Sequence, residues 1–113
     1  MSRIYKILTR TDWLAAKAKG RFEGSAIDVA DGYIHFSTAA QTQETARRHF
    51  AGQADLVLLE VEADDLGAAL KWEPSRGGDL FPHLYAPLQA RAVRAVIEAP
   101  PGDDGVPVVR LAG

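Results

Sequence analysis

The sequence predicts one α+β domain over residues 1–113, with about six strands and two principal helices. Three observations carry this reading. Helical patterns with clear start and stop signals occur only in the first half, strand patterns crowd the second half, and no repeat, linker or low-complexity segment divides the chain.

Arg3 to Leu8 alternates and is rich in Ile and Tyr, which predicts a strand. Thr9 or Thr11 can cap a helix running to about Lys19, with Trp13, Leu14, Ala16 and Ala18 to pack and Gly20 to end it. Residues 21–32 hold two glycines and three acids but no sustained period, so a loop with a helical turn around Ala26 to Val29 is expected. Tyr33 to Ser37 is a short strand. The capping-box spacing of Thr38 and Gln41 then opens a second helix, ending near Gly52, with Ala39, Thr42, Ala46 and Phe50 as its apolar stripe. Arg47, Arg48 and His49 in its last turns oppose the helix dipole.

Asp55 to Glu62 carries Leu-Val-Leu-Leu in a row, as expected of a central strand buried on both faces. Leu70 to Glu73 predicts a shorter strand with Trp72 toward the core and Glu73 on the opposite side. Pro74 to Asp79 reads as a loop, Arg91 to Glu98 as a strand, and Val106 to Leu111 as a last strand after the turn-rich residues 100–105.

Composition narrows the function classes. The apolar share of 47% and the charged share of 25% are those of an ordinary globular chain. The absence of cysteine removes disulfide scaffolds, thiolate nucleophiles and cysteine-ligated zinc, and fits a reducing compartment, so a cytoplasmic protein is expected. No apolar run suits a signal peptide or a membrane span, and no membrane partner is expected. A net charge of −2 with both signs scattered gives no footprint for nucleic acid. Three dispersed histidines supply no zinc spacing, so no metal is expected. Phosphate-loop and nucleophile-elbow motifs are missing as well.

Two segments hold the remaining chemistry. In Gly32-Tyr33-Ile34-His35-Phe36-Ser37, strand alternation puts Tyr33, His35 and Ser37 on one face and Ile34 and Phe36 on the core face. The helix after Ser37 and Thr38 presents free backbone N–H groups to an anion such as phosphate. The structural alternative is that Tyr33 and His35 are solvated or hydrogen-bonded and that Ser37 helps Thr38 cap the helix. In Phe81-Pro82-His83-Leu84-Tyr85, Pro82 excludes a central strand, so Phe81, His83 and Tyr85 project together from a stiff edge or loop. That set suits a planar ring with polar groups. Its alternative is an edge strand with both aromatics in the core and His83 at the surface. Glu73 and Arg76 bordering one cleft could orient a ribose hydroxyl and a phosphate, whereas Glu60 and Glu62 mark the end of a buried strand. As partly exposed groups, His35 and His83 are expected to change stability by less than about 1 kcal/mol on substitution by alanine.

Tyr5-Lys6-Ile7, Gly32 to Ser37, Trp72-Glu73 and Phe81 to Tyr85, in this order, resemble the bacterial family called domain of unknown function 952 over about residues 3–98. The resemblance implies a fold similar to that of ADP-ribosyltransferases, which hold NAD in a cleft between two small sheets. It implies that Tyr33 to Thr38 stand in the superfamily's second motif, on the nicotinamide side, and that Phe81 to Tyr85 occupy the region of the catalytic glutamate, with Glu73 the nearest carboxylate. On the first strand, where transferases carry Arg or His, this chain has Lys6. The expectation is a small-molecule, nucleotide-like ligand, NAD or an ADP-ribose derivative, in a cleft with His35, Glu73 and His83 as catalytic groups. Tyr33, Ser37, Thr38, Arg76, Phe81 and Tyr85 would bind it, for ADP-ribosyl transfer or a glycohydrolase reaction with NAD as substrate. The alternative is a non-catalytic ligand- or protein-binding module on the same fold.

Overall fold

The computed structural model describes residues 2–111, the side chain of Arg76 excepted. The strand β1 (Arg3–Thr9) leads directly into helix α1 (Arg10–Lys19), because the Thr9 hydroxyl accepts the Asp12 N–H and so caps the first turn. Trp13 and Ala16 of α1 are buried, whereas Leu14 is exposed. There follow β2 (Arg21–Phe22), α2 (Ala26–Asp31), β3 (Ile34–His35), β4 (Ser37–Thr38) and α3 (Ala39–His49). The capping box of α3 is closed reciprocally: the Gln41 N–H donates to Thr38 Oγ1 at 3.3 Å and the Thr38 N–H to Gln41 Oε1 at 3.0 Å. Thr42 and Ala46 bury the inner face of α3, and Ala39 of the expected stripe is exposed.

The second half holds β5 (Leu56–Glu62), a 3-10 segment (Ala63–Ala69), β6 (Leu70–Pro74), β7 (Leu80–Leu84), β8 (Leu88–Gln89) and β9 (Val93–Ala99). All pairings are antiparallel and form three sheets, in the orders β4-β1-β5-β9, β2-β8 and β3-β7-β6. The expected six strands and two helices are thus nine strands and three α-helices among the described residues. The additions are β2 and β8, of two residues each, helix α2 of six, which is too short to show a period, and the five-residue β7 in the segment read as a stiff edge or loop; the strand expected over 33–37 is divided into β3 and β4.

The central strand β5 is buried on both faces. Val57, Leu59 and Val61 enter a cluster with Trp13, Phe22, Ile34, Phe36 and Leu84, while Leu56 and Leu58 join Ile7 and Ala46 beneath α3. Ile34 and Phe36 therefore lie on the core face, as alternation predicts. Three expectations fail. Trp72 is 41% exposed: it stands on the outer strand β6, while Pro82, directly opposite it on the middle strand β7, is buried. Residues 106–111 form no strand and contribute a single bridge, Pro101 to Pro107. Their order comes from α3, whose Gln43 side chain bonds the Pro107 carbonyl and the Val109 N–H.

The third correction concerns Pro82, which lies in the middle strand of the β3-β7-β6 sheet. Its ring removes one donor, and the Pro82 carbonyl still accepts the Phe36 N–H at 3.0 Å. In an antiparallel pair the N–H and C=O of one residue face the same neighbour, so the missing donor faces Phe36. Pairing to β7 stops there, and the chain leaves Phe36 for β4 and another sheet.

Candidate functional site

The site is assembled by α2, β3, β6 and β7. Helix α2 ends at Gly32, whose φ of 89° is the left-handed conformation that glycine adopts without strain. The Gly32 and Tyr33 N–H groups both donate to the Asp28 carbonyl, at 2.8 and 3.1 Å, which fixes the entry into β3. Register does the rest: His35 stands opposite His83, which stands opposite Lys71, and Glu73 stands opposite Phe81. All of these are on the face away from Ile34 and Leu84.

On that face the rings pack around Tyr33. It stacks on His83 with centroids 4.1 Å apart and an interplanar angle of 28°, and its centroid is 4.6 Å from that of His35 and 5.2 Å from that of Tyr85. One carboxylate oxygen, Glu73 Oε1, lies 2.8 Å from His83 Nδ1 and accepts the Tyr85 hydroxyl at 2.7 Å. An ionised carboxylate only accepts, so His83 Nδ1 carries a proton and Nε2 is the nitrogen left for proton exchange. The Tyr85 hydroxyl and then His83 hold the Glu73 carboxyl below its usual range, and the Glu73 hydrogen bond, followed by burial, pushes Tyr85 up to about 12. Tyr33 is raised too, by burial first and then by Asp31, Glu73 and Asp28.

His35 is held on both sides. Its Nδ1 is 2.6 Å from Asp28 Oδ1, its Nε2 is 2.9 Å from Asp31 Oδ2, and its own N–H donates to Asp28 Oδ1 at 3.1 Å. As an imidazolium it donates to both carboxylates; as neutral imidazole it keeps one of those two bonds. Asp28 is 2% exposed and also takes Lys6 Nζ at 2.8 Å and the Ser25 N–H at 2.9 Å. Burial pushes the Asp28 carboxyl up, but His35, Lys6 and the Ser25 N–H more than reverse this and hold it at about 2. Burial pulls the Lys6 ammonium below its ordinary value, and Asp28 opposes that pull.

The structure thus brings together Tyr33, His35, Glu73, His83 and Tyr85. It does not bring in Ser37 and Thr38. Ser37 is buried in the sheet of β1 with its Oγ 2.8 Å from Thr45 Oγ1, and Thr38 and Gln41 occupy the helix end where an anion was expected. Phe81 is buried opposite Glu73. The Arg76 side chain lies outside the described residues. Sequence reasoning missed Asp28, Asp31 and the buried role of Lys6. The spacing of Ser25 and Asp28, a capping-box pattern, was the available signal.

Beside Tyr33 and Tyr85 the surface dips into an open concavity of about 380 Å³, lined among others by Glu23, Val29, Leu84 and Pro87. Among the described residues no group of three or more His, Asp or Glu is placed to hold a metal ion, and no helix is long and apolar enough to cross a membrane.

Burial changes one expectation. His83 is 4% exposed rather than partly exposed, so His83→Ala is expected to cost about 1–3 kcal/mol by removing a buried ring stacked on Tyr33 together with its hydrogen bond to Glu73. Tyr85→Phe, at an exposed position, should cost less than about 1 kcal/mol. Urea denaturation of both variants beside the parent checks the ordering.

Fold and cluster together define a small antiparallel α+β domain with a histidine–carboxylate–tyrosine face. The chain belongs to the family described as "Protein of unknown function (DUF952)", whose model matches residues 7–96. It is similar to the crystal structure of protein CC0527 from Caulobacter crescentus, at 59% identity and a TM-score of 0.92, covering 94% of this chain and 93% of that one. The solution NMR structure of CC0527 is 60% identical with a TM-score of 0.85, covering 95% and 92%. No curated protein matches.

Proposed function

We propose that the face formed by Tyr33, His35, Glu73, His83 and Tyr85 binds a nucleotide-like small molecule, NAD or an ADP-ribose derivative, and acts on its ribosyl bond in the cytoplasm. The observation that supports this reading is the Glu73–His83 pair, stacked on Tyr33 and sharing its carboxylate oxygen with Tyr85. A histidine with one nitrogen held by a carboxylate is a general base at the other. The likeness of the sequence motifs to an ADP-ribosyltransferase-like fold supports the same ligand class. In this reading Tyr33 and Tyr85 stack the planar ring at the concavity, Glu73 Oε2 orients a ribose hydroxyl, and His83 Nε2 takes the proton of the attacking water or acceptor as the bond from ribose to the leaving ring breaks. His35, held by Asp28 and Asp31, serves as general acid where the leaving group of an ADP-ribose derivative needs a proton, since nicotinamide leaves NAD as a neutral ring with the bonding pair on its nitrogen and needs none.

A second reading, a non-catalytic ligand- or protein-binding module, is favoured by a different observation. Both His35 nitrogens and Glu73 Oε1 are already bonded within the chain, and Lys6 is committed to Asp28. Calorimetry with NAD, ADP-ribose and nicotinamide, followed by chromatography of the mixture, separates the two. The enzyme reading expects binding and release of the free base, with His83→Ala slowing release by about 10²- to 10⁴-fold. Binding without turnover supports the module, and no heat at millimolar ligand overturns the ligand class.

A further inference from the structure

The β3-β7-β6 sheet ranks His35, His83 and Lys71 side by side on the face that carries the rings, one on each strand. Neighbouring strands lie ~4.8 Å apart, so the Lys71 stem leaves the sheet one strand beyond His83 and two beyond His35. The charges along this row are segregated. Asp28 and Asp31 close the end at His35, and Glu23, itself paired with Lys19 and Arg21, lines the concavity to which Asp28 also belongs. Lys71 stands at the opposite end. It is exposed, and among the described residues it makes no hydrogen bond or ion pair, whereas Lys6 is committed to Asp28. The neighbouring carboxylate does not claim it. Glu73 Oε1 takes His83 and Tyr85, and Lys71 adds only from a distance to the lowering of Glu73 that Tyr85 and then His83 cause.

An ammonium with no partner in its own chain, at the positive end of an otherwise acidic face, is placed to meet an anionic group of the ligand, and as a compact point charge it suits a phosphate. A nucleotide-like ligand presents ring, ribose and phosphate in that order. The face presents the concavity at Tyr33 and Tyr85, then the Glu73–His83 pair, then Lys71. We propose that Lys71 is a specificity-determining residue of this site, which holds the phosphate next to the ribose and so sets the ligand with its ring at the concavity and its phosphates over β6. The inference rests on the ribosyl reading above. Docking in the reverse sense brings the phosphates against Asp28 and Asp31, where like charges repel. The structural alternative is a lysine that only discourages an outer strand from pairing with another chain, and such a lysine has no effect on ligand binding.

Calorimetry of the full chain with ADP-ribose and with nicotinamide, which has no phosphate, tests this in the parent, Lys71→Gln, Lys71→Arg and Lys17→Gln. Lys17 is an exposed lysine of α1 and reports the effect of one lost charge alone. All three variants change exposed side chains and should keep the parent's melting point. Lys71→Gln is expected to weaken ADP-ribose by about five- to tenfold and to flatten the salt dependence of its binding, with nicotinamide unchanged within about twofold. Lys71→Arg should keep most of the affinity, and Lys17→Gln should match the parent. The inference alone is overturned, with the ribosyl reading left standing, by a Lys71→Gln variant that binds ADP-ribose like the parent, by one that loses both ligands alike, or by an equal loss in Lys17→Gln. A parent that binds neither ligand overturns the ribosyl reading and this inference with it.

Discussion

Replacing Asp28 with asparagine is expected to cost about 3–5 kcal/mol of stability, the largest effect of any conservative change in this chain. The carboxylate is buried and neutralises Lys6, which is itself buried on the face of β1 that carries Ile4 and Leu8, with its Nζ 5.9 Å from the centre of the Phe22 ring. An asparagine leaves that ammonium without a counter-charge. It also offers a second donor where the Ser25 N–H, the His35 N–H and Lys6 Nζ all donate. Adding Lys6→Met to Asp28→Asn should recover part of the loss, because the uncompensated charge is then gone. The same group sets the acid limit. Its folded value of about 2 lies below its ordinary 3.8, so its contribution is full above about pH 4 and is lost as pH falls through 2. The loss is on the order of 2 kcal/mol, and Asp28→Asn should flatten it in urea melts taken across that window.

Phe36→Ala should cost about 3–5 kcal/mol by removing a buried aromatic and leaving a cavity. Phe36 is 2% exposed and packs with Ile34, Leu84 and the inner residues of β5. It also stands where the chain crosses from the sheet of β7 to the sheet of β1, so the void opens at the junction holding β3 in register with β7. Equilibrium denaturation gives the number. Amide spectra of the variant should show the disturbance at residues 33–37 and 80–84 rather than along α1.

The long elements were legible because each carries a period and its own boundaries: Thr9 and Gly20 around α1, Thr38 and Gln41 at the start of α3, and the apolar run of β5. Helix α2 was legible only as a turn around Ala26 to Val29, since Ile27 and Val29 point outward and its one buried side chain is an aspartate held by groups distant in sequence. Residues 106–111 alternate like a strand, but among the described residues they pair only through the Pro101–Pro107 bridge. Alternation put Tyr33 and His35 on a common face, and Phe81, His83 and Tyr85 on theirs. That these two faces are one depends on His35 lying opposite His83, a register made by tertiary pairing. Ser37 left the face because Pro82 ends the pairing one residue earlier, an effect written in the sequence at a distance of 45 residues from Ser37.

A ligand site and a merely packed cluster of rings around Tyr33 differ in whether a nucleotide perturbs those residues directly. Amide-proton NMR of the labelled chain, titrated with ADP-ribose and in parallel with NAD, addresses it residue by residue. A ligand site gives saturable shifts that centre on Tyr33, His35, Glu73, His83 and Tyr85 and fade toward α3, and that disappear in His83→Ala while the rest of its spectrum stays dispersed. Spectra that do not move at millimolar ligand, or that move only at residues remote from β3, β6 and β7, would contradict it.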